Sequence, residues 1–236
     1  ELRFPEFSGE WEEKRLGDIG KFVGGGTPSK EAPEYWKGEI PWISSSDLSE
    51  TNIRDVKISR FITEAARSES ATHLIPPRSV LFVSRVGIGK VGINKVNLCT
   101  SQDFANLIPK KDSAEFLAYF FHSRKNILKR YAQGTSIKGF TTSDLKAIKL
   151  ETPSLPEQQK IAEFLTAVDE KIGKLKRKKE LLEAYKKGAM QKLFSQEIRF
   201  KDDQGNPYPD WEEKRLGELS EVVTGSTPST KNNTFF

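Results

Sequence analysis

The feature that most constrains this chain is a self-match at an interval of 200 residues. The heptapeptide WEEKRLG occupies Trp11–Gly17 and returns at Trp211–Gly217. The tripeptide Thr27–Ser29 returns at the same interval as Thr227–Ser229, and an ELRF sequence before the first copy returns as EIRF before the second. A match at a fixed interval indicates an internal repeat, and this interval has the size of a whole domain. We therefore expect one complete unit over residues 1–196, followed by the start of a second, incomplete one.

The end of the first unit has the pattern of a long helix. Residues 157–195 contain no proline and are rich in Lys, Glu, Leu and Ala. Apolar residues recur every seven positions in one full row and one partial row, at Ile161, Val168, Leu175, Leu182 and Ala189 and at Leu165 and Ile172. Such rows form the contact seam of a helix that packs along a partner helix. A helix of about 40 residues is about 60 Å long, so we expect it to need a partner; packing on its own domain is the alternative.

The residues before that helix alternate short strand patterns with helical ones. IPWISSSDL and LCTSQDFANLIPK contain strand-like runs, and SVLFVSRVGIGKVGINKV predicts a hairpin. Apolar residues at helical spacing predict one helix from Ser113 to Gly134. We therefore predict a mixed α/β (α+β) domain at 1–153, a long coiled-coil-type α-helix at 154–196 and an incomplete repeat at 197–236.

Charge is distributed unevenly along the chain. Residues 1–50 hold 6 Lys and Arg against 11 Asp and Glu, whereas residues 51–149 hold 17 against 7. A basic region of this kind indicates a surface for a polyanion, and Arg, Lys, Gln, Ser and Thr are the side chains that contact bases and phosphates. Each residue alone is more often plain surface; the clustering is the signal. The candidates for contacts with double-stranded DNA are Thr27, Ser29, Lys30, Ser45, Arg85, Lys90, Lys95, Gln102, Arg124, Lys125, Gln133, Thr135 and Lys138.

No motif in the chain predicts catalysis or a cofactor. Gly87–Gly92 matches G-x-G-x-x-G, but a strand-like sequence follows it where a dinucleotide-binding fold needs a helix. This favours a glycine-rich hairpin that either lets the backbone approach DNA or simply turns tightly. Two histidines and one cysteine are too few for an ordinary zinc site. No apolar run approaches the roughly 20 residues of a membrane span. Because a lone cysteine excludes an internal disulfide, we expect a cytoplasmic protein with Cys99 in its core.

Four of these stretches together resemble the specificity subunit of type I restriction–modification enzymes. They are the WEEKRLG opening, the GGTPS loop, the IPWISSSDL strand and the closing IKLETPSLPEQQKIAEFL, which continues into the long helix. The domain-length repeat fits as well, because that family alternates two target-recognition domains with two helices. The second WEEKRLG is then the opening of a second recognition domain.

The resemblance implies a function in DNA recognition. In the family, the two helices pack antiparallel and hold the recognition domains apart, so that each domain reads one half of a bipartite site. It also implies two partners that perform the chemistry, a methyltransferase (M) subunit that modifies adenine and an endonuclease/translocase (R) subunit. With one helix in this chain, we expect a homodimer in which a second copy supplies the other. The alternative is an interaction protein whose helix binds other subunits without productive DNA reading.

Overall fold

The structure is a computed structural model that describes residues 3–131, 139–225 and 227, in two compact units, Glu1–Leu175 and Lys176–Phe236. The strands of the described residues are β1 (Glu12–Arg15), β2 (Gly20–Gly24), β3 (Ile40–Ile43), β4 (Arg60–Ile62), β5 (Val80–Val83), β6 (Val91–Ile93), β7 (Cys99–Thr100), β8 (Phe104–Pro109) and β9 (Lys149–Thr152). The helices are α1 (Leu16–Ile19), α2 (Glu64–Ser68), α3 (Ala114–Ser123), α4 (Lys125–Arg130), α5 (Thr142–Ala147), α6 (Leu155–Phe194) and α7 (Leu216–Leu219), with 3-10 turns at Pro33–Trp36 and Ser45–Asp47.

A four-stranded antiparallel sheet in the order β2-β8-β5-β6 forms the centre of the first unit. The predicted hairpin is confirmed as β5 and β6, with Gly87 and Gly89 at φ +90° and +91°, where glycine is the residue that fits without strain. All of β5 is buried, because alternate side chains enter different apolar clusters. Phe82 packs edge-on against Phe121 of α3 with ring centroids 5.1 Å apart, and Leu81 enters the cluster on the other side.

A three-stranded sheet in the order β4-β3-β7 packs beside the central one, and β3 runs parallel to β7. Its core contains Trp42, Ile62, Ala66 and Cys99. Cys99 is fully buried, as expected, and the loss of solvent raises the pKa of its thiol to about 11.

A two-stranded ribbon closes the first unit by joining its two ends. β1 pairs antiparallel with β9, so that Glu13 lies opposite Glu151. Directly after β1, Leu16 is fully buried in the central core, and its N–H donates to the carbonyl of Ile148 at 2.8 Å. The WEEKRLG heptapeptide is therefore part of the folded domain rather than a linker to it.

The prediction of one continuous helix from Ser113 is wrong. The structure has α3 and α4, separated at Arg124, whose backbone lies outside the helical region at φ −113° and ψ 41°. Phe121 before the break and Leu128 after it are both fully buried. Because apolar spacing is kept on both sides of the break, the sequence pattern does not reveal it. The predicted end at Gly134 lies outside the described residues.

The long helix predicted from the heptad pattern is confirmed as α6, which has 40 residues. Its first turns pack on the first unit, with Glu157, Gln158 and Ala162 almost fully buried. Further along, Val168 and Leu175 are 41% and 56% exposed. The alternative of packing on its own domain thus applies to the start of the helix, whereas the seam from Val168 to Leu182 is left exposed. Within the described residues, no helix combines the length and apolar character that membrane crossing requires.

Candidate nucleic-acid interface

Loops from both sheets meet at one end of the first unit. Gly24 at the end of β2 lies opposite Ala105 of β8, and Val83 at the end of β5 lies opposite Phe104. The loops after β2 and β5 and the loop before β8 therefore leave the central sheet at the same end of its strands. β3 and β7 are parallel neighbours, and the loop after β7 is the loop before β8. The loop after β3 therefore lies at this end too. We call this set of loops, residues 25–32, 44–47, 84–90 and 101–103, the loop rim.

Backbone hydrogen bonds hold the loop rim together. The N–H of Gly26 donates to the carbonyl of Thr100 at 2.8 Å, and the N–H of Ser84 donates to the carbonyl of Asp103 at 2.7 Å. The indole Nε1–H of the buried Trp42 donates to the carbonyl of Gly26 at 2.9 Å. The loops thus present their polar side chains from a fixed backbone, as preorganised recognition requires.

The structure brings seven of the candidate residues to the loop rim: Thr27, Ser29, Lys30, Ser45, Arg85, Lys90 and Gln102. Thr27 and Gln102, which are 75 residues apart in the sequence, are hydrogen-bonded through their side chains. Ser45 is only 8% exposed, whereas the neighbouring Ser46 is exposed. We therefore replace Ser45 by Ser46 in the candidate interface.

Basic residues of α4 extend this surface beside the glycine hairpin. A Cβ added to Gly89 would lie 3.5 Å from Cε of Lys129 and 3.7 Å from Cβ of Lys125. Lys125 Nζ donates to the backbone carbonyl of Glu50 at 2.6 Å, and Lys90 Nζ lies 3.5 Å from the Glu50 carboxylate. One acidic residue therefore lies among three lysines, and the surface stays basic.

Arg124 and His122 differ in what they add to the charge of this surface. The Arg124 guanidinium lies over the ring of Phe120, 4.6 Å from its centroid, which fixes a side chain that is otherwise exposed. Burial, followed by the charge of Lys125, lowers the pKa of His122. The imidazole is therefore neutral at neutral pH and contributes no charge to the surface.

One candidate, Lys95, is not brought to the loop rim, because it follows the opposite end of β6 from Lys90. Three further candidates, Gln133, Thr135 and Lys138, lie outside the described residues.

Arg60 is a candidate that sequence reasoning missed. It lies on β4 with its guanidinium 4.7 Å from the ring centroid of Trp42. Its Nη2 donates to Ser44 Oγ at 2.7 Å and to the carboxylate of Asp47. The side chain is 39% exposed, and Ser44 Oγ, which it contacts, also lies 2.9 Å from the hydroxyl of the exposed Ser46. The only signal in the sequence is the SSSD turn, and nothing in it indicates that a strand carrying an arginine pairs next to it.

This surface offers hydrogen-bond donors and positive charge rather than a reaction centre. Across residues 3–131, 139–225 and 227, no group of three or more His, Cys, Asp and Glu residues is arranged to hold a metal ion. Guanidinium, ammonium, amide and hydroxyl groups on fixed loops are suited to binding phosphates and base edges.

Comparison with known proteins gives a consistent result. Residues 8–184 match the family described as type I restriction modification DNA specificity domain. The type I restriction enzyme MjaIX specificity subunit of Methanocaldococcus jannaschii is 36% identical over 231 residues, which cover 92% of this chain and 53% of that protein. A type I restriction enzyme specificity subunit of Escherichia coli is 37% identical over 176 residues, 71% of this chain and 43% of that protein. The chain thus spans about half the length of the curated relatives it matches.

The fold has a counterpart among solved structures. The S subunit of a type I restriction–modification system from M. genitalium superimposes with a TM-score of 0.57 at 20% identity, over 82% of this chain and 47% of that one. This likeness supports the mixed α/β domain with its long helix. Together with the family match over three quarters of the sequence, it identifies the chain as a member of the type I restriction–modification DNA specificity family.

Proposed function

We propose that this chain recognises a specific sequence in double-stranded DNA through the loop rim and the adjoining basic residues of α4. The observation that carries the proposal is the convergence of loops from two sheets on one edge of a domain that belongs to a DNA specificity family. Phosphate contacts by the lysines and arginines would position the domain, and Gln102, Arg85 and Arg60 are the side chains best suited to base edges.

The chain would deliver this recognition to partner subunits that perform the chemistry. A methyltransferase subunit would methylate adenine and an endonuclease/translocase subunit would restrict unmodified DNA, as the family resemblance implies. No cofactor is part of the proposed role of this chain. We further propose that residues 1–153 are the recognition domain, 154–196 the spacer helix and 197–236 the start of the second repeat.

A homodimer through α6 is the second part of the proposal. Four seam residues, Val168, Ile172, Leu175 and Leu182, are between 41% and 56% exposed, which leaves an apolar seam on one helix that is interrupted at Lys179. Burial of this row against the same row of a second copy would remove it from water. An isologous, antiparallel pair places two identical recognition domains at opposite ends of the helices. The preferred DNA site is then an interrupted palindrome.

The DNA interface is tested by the salt dependence of binding. Each neutralised phosphate releases counterions, so the logarithm of the affinity falls with the logarithm of salt concentration in proportion to the number of contacts. Replacing Arg124, Lys125 and Lys129 with Ala should make that slope shallower by up to about 3. The matched control removes the same charge from the opposite end of the sheets, at Lys95, Lys110 and Lys111, and should keep the slope. Equal slopes for both variants would contradict the contribution of α4 to the interface.

The homodimer is tested by analytical ultracentrifugation of two single variants. Leu175→Ala alters the seam, and Leu181→Ala makes the same change off the seam at a nearly equal exposure of 53% against 56%. If the substitution lowers the free energy of dimerisation by about 1–2 kcal/mol per chain, the loss counts twice in the dimer. The dissociation constant of the dimer then rises by about 30- to 700-fold. We expect this rise for Leu175→Ala alone. A wild-type chain that stays monomeric at tens of micromolar would contradict the homodimer.

A further inference from the structure

The N-terminal copy of the repeated sequence, residues 3–17, is bound to the first unit from its beginning. Nε and Nη2 of Arg3 donate to the two carboxylate oxygens of Glu157, each at 2.7 Å. The ring of Phe4 packs edge-on against Phe164 of α6 with centroids 6.0 Å apart. The Arg3 hydrogen bonds hold the pKa of Glu157 below its ordinary value.

The rest of the N-terminal copy also contacts the first unit, although Trp11 is 36% exposed. Trp11 packs edge-on against Phe116 of α3 at 6.1 Å. β1 pairs with β9 over four residues, and Lys14 donates to Asp112 at 3.0 Å. Leu16 is fully buried. The first unit therefore contains a complete binding site for this sequence.

The C-terminal copy, residues 199–217, shares two local features with the N-terminal copy, and the first is a loop closed by its arginine. Arg3 Nη2 donates to the carbonyl of Gly9 at 2.6 Å, and Arg199 Nη2 donates to the carbonyls of Tyr208, at 2.9 Å, and of Pro209. Gly9 and Pro209 each stand two residues before the tryptophan of their copy. The arginine thus closes the same loop in both copies.

The end of the heptapeptide is also alike. α1 and α7 are one-turn helices that begin at the same leucine of the motif. The residue before each helix has nearly the same backbone, with φ −86° and ψ 137° at Arg15 and φ −74° and ψ 141° at Arg215. At the arginine-closed loop and at the start of the one-turn helix, the C-terminal copy therefore has the conformation that the N-terminal copy has when bound.

The apolar side chains of the C-terminal copy are largely exposed. Phe200, Trp211 and Leu216 are 71%, 56% and 69% exposed, although Trp211 has an edge contact with Phe194. Glu212–Arg215, the counterpart of β1, forms no strand in the described part of the chain. The copy is an unpaired strand segment flanked by two exposed aromatic side chains and an exposed leucine.

From these observations we infer that the C-terminal copy of one chain docks onto the first unit of a second copy of the chain, in place of that chain's own N-terminal copy. The inference rests on the antiparallel α6 pairing proposed above. In such a pair, the C-terminal end of one helix lies beside the N-terminal end of the other, where Glu157 and Phe164 bind the N-terminal copy. Residues 197–198, which follow α6 closely, would then deliver Arg199 to that site.

The exchange is close to neutral in energy, because the same residue types make the same contacts. Arg199, Phe200, Trp211, Lys214 and Leu216 repeat the side chains that are bound in the N-terminal copy. The four additional residues of the C-terminal copy fall in the loop before its tryptophan, and the corresponding loop of the N-terminal copy is largely exposed. In a dimer, a tethered segment competes at an effective concentration of about millimolar, so both arrangements are populated.

A disulfide trap in the 236-residue chain tests the exchange. Glu13 lies opposite Glu151 in the β1–β9 ribbon, and Glu213 is the counterpart of Glu13. Opposed residues of antiparallel strands have Cα atoms about 4.5–5.5 Å apart, within the range of a disulfide. The double variant Glu151→Cys, Glu213→Cys in a glutathione redox buffer should give a covalent dimer on a non-reducing gel. Glu151→Cys, Glu218→Cys is the control and should not, since Glu218 lies outside the strand segment.

A competition experiment separates the exchange from random oxidation. Adding Trp11→Ala to the trap weakens the N-terminal copy and should raise the yield of covalent dimer several-fold. Adding Trp211→Ala instead should lower it by a similar factor. A chain that sediments as a dimer without forming the 151–213 bond, or that forms it within one chain, would overturn the exchange and leave the helix pairing intact. A chain that sediments as a monomer would overturn both.

Discussion

The two copies of WEEKRLG allow the same substitution to be made twice with opposite expected results. Leu16→Ala and Leu216→Ala change the same letter of the same heptapeptide. Leu16 is fully buried in the central core, and Leu216 is 69% exposed in the second unit. Sequence context and helix propensity are shared, so a difference in stability reports the burial alone.

The expected difference follows from this burial. A fully buried Leu→Ala change costs about 2–5 kcal/mol, because it removes apolar contacts and leaves a cavity. A change at an exposed site is expected to stay within about 0.5 kcal/mol. With a urea slope of about 2 kcal/mol per M, a loss of about 3 kcal/mol lowers the unfolding midpoint by about 1.5 M. Leu216→Ala should leave the midpoint within about 0.25 M of the wild-type value.

Urea unfolding followed by tryptophan fluorescence measures both midpoints. Trp42 is 3% exposed in the first unit and reports its unfolding. The protein concentration must lie below the dimer dissociation constant, so that the C-terminal copy does not replace the N-terminal one. Equal midpoints for the two variants, or a larger loss for Leu216→Ala, would refute the assignment of the N-terminal copy to the core.

Three further results are expected. Arg3 holds the pKa of Glu157 below its ordinary value of 4.5, so the stability that this pair contributes is present above about pH 4.5 and is lost as the pH falls. Between pH 7 and pH 3, the midpoint of urea unfolding should therefore fall less steeply for Glu157→Gln than for the wild type. Cys99 is fully buried with a pKa of about 11, so a thiol reagent at pH 8 should react with it only after urea unfolds the protein. Fast reaction of the native protein would contradict the burial of Cys99. Gly20→Ala should lower the melting temperature, because the added Cβ would lie 2.2 Å from a carbonyl oxygen of β8, whereas Gly24→Ala, with nothing within 4 Å, should leave it unchanged or slightly raised.

Periodic features of the fold could be predicted from the sequence. The heptad rows gave α6 almost to the residue, and the glycine-rich turn gave the β5–β6 hairpin, because both depend on residues close in the sequence. The pairing of β1 with β9 could not be predicted, since it joins residues 136 apart through charged side chains such as Glu13 and Lys149. The break at Arg124 was missed because it leaves the apolar spacing unchanged.

The candidate interface was predictable in composition but not in arrangement. Lys90 and Lys95 are five residues apart, yet they flank opposite ends of β6, and only the strand order places Lys90 on the loop rim. Arg60 was missed because its contact with Trp42 depends on the pairing of β4 with β3. Ser45 and Ser46 are alike in sequence, and only the 3-10 turn buries one and exposes the other.

Methylation mapping in cells tests whether this chain directs methylation to a specific DNA sequence. Methylated adenines are mapped by single-molecule sequencing of DNA from cells that express a methyltransferase subunit with and without the chain. We expect methylation of one bipartite site, an interrupted palindrome, only when the chain is present. Methylation that is absent, or that occurs at the same sites without the chain, would contradict it.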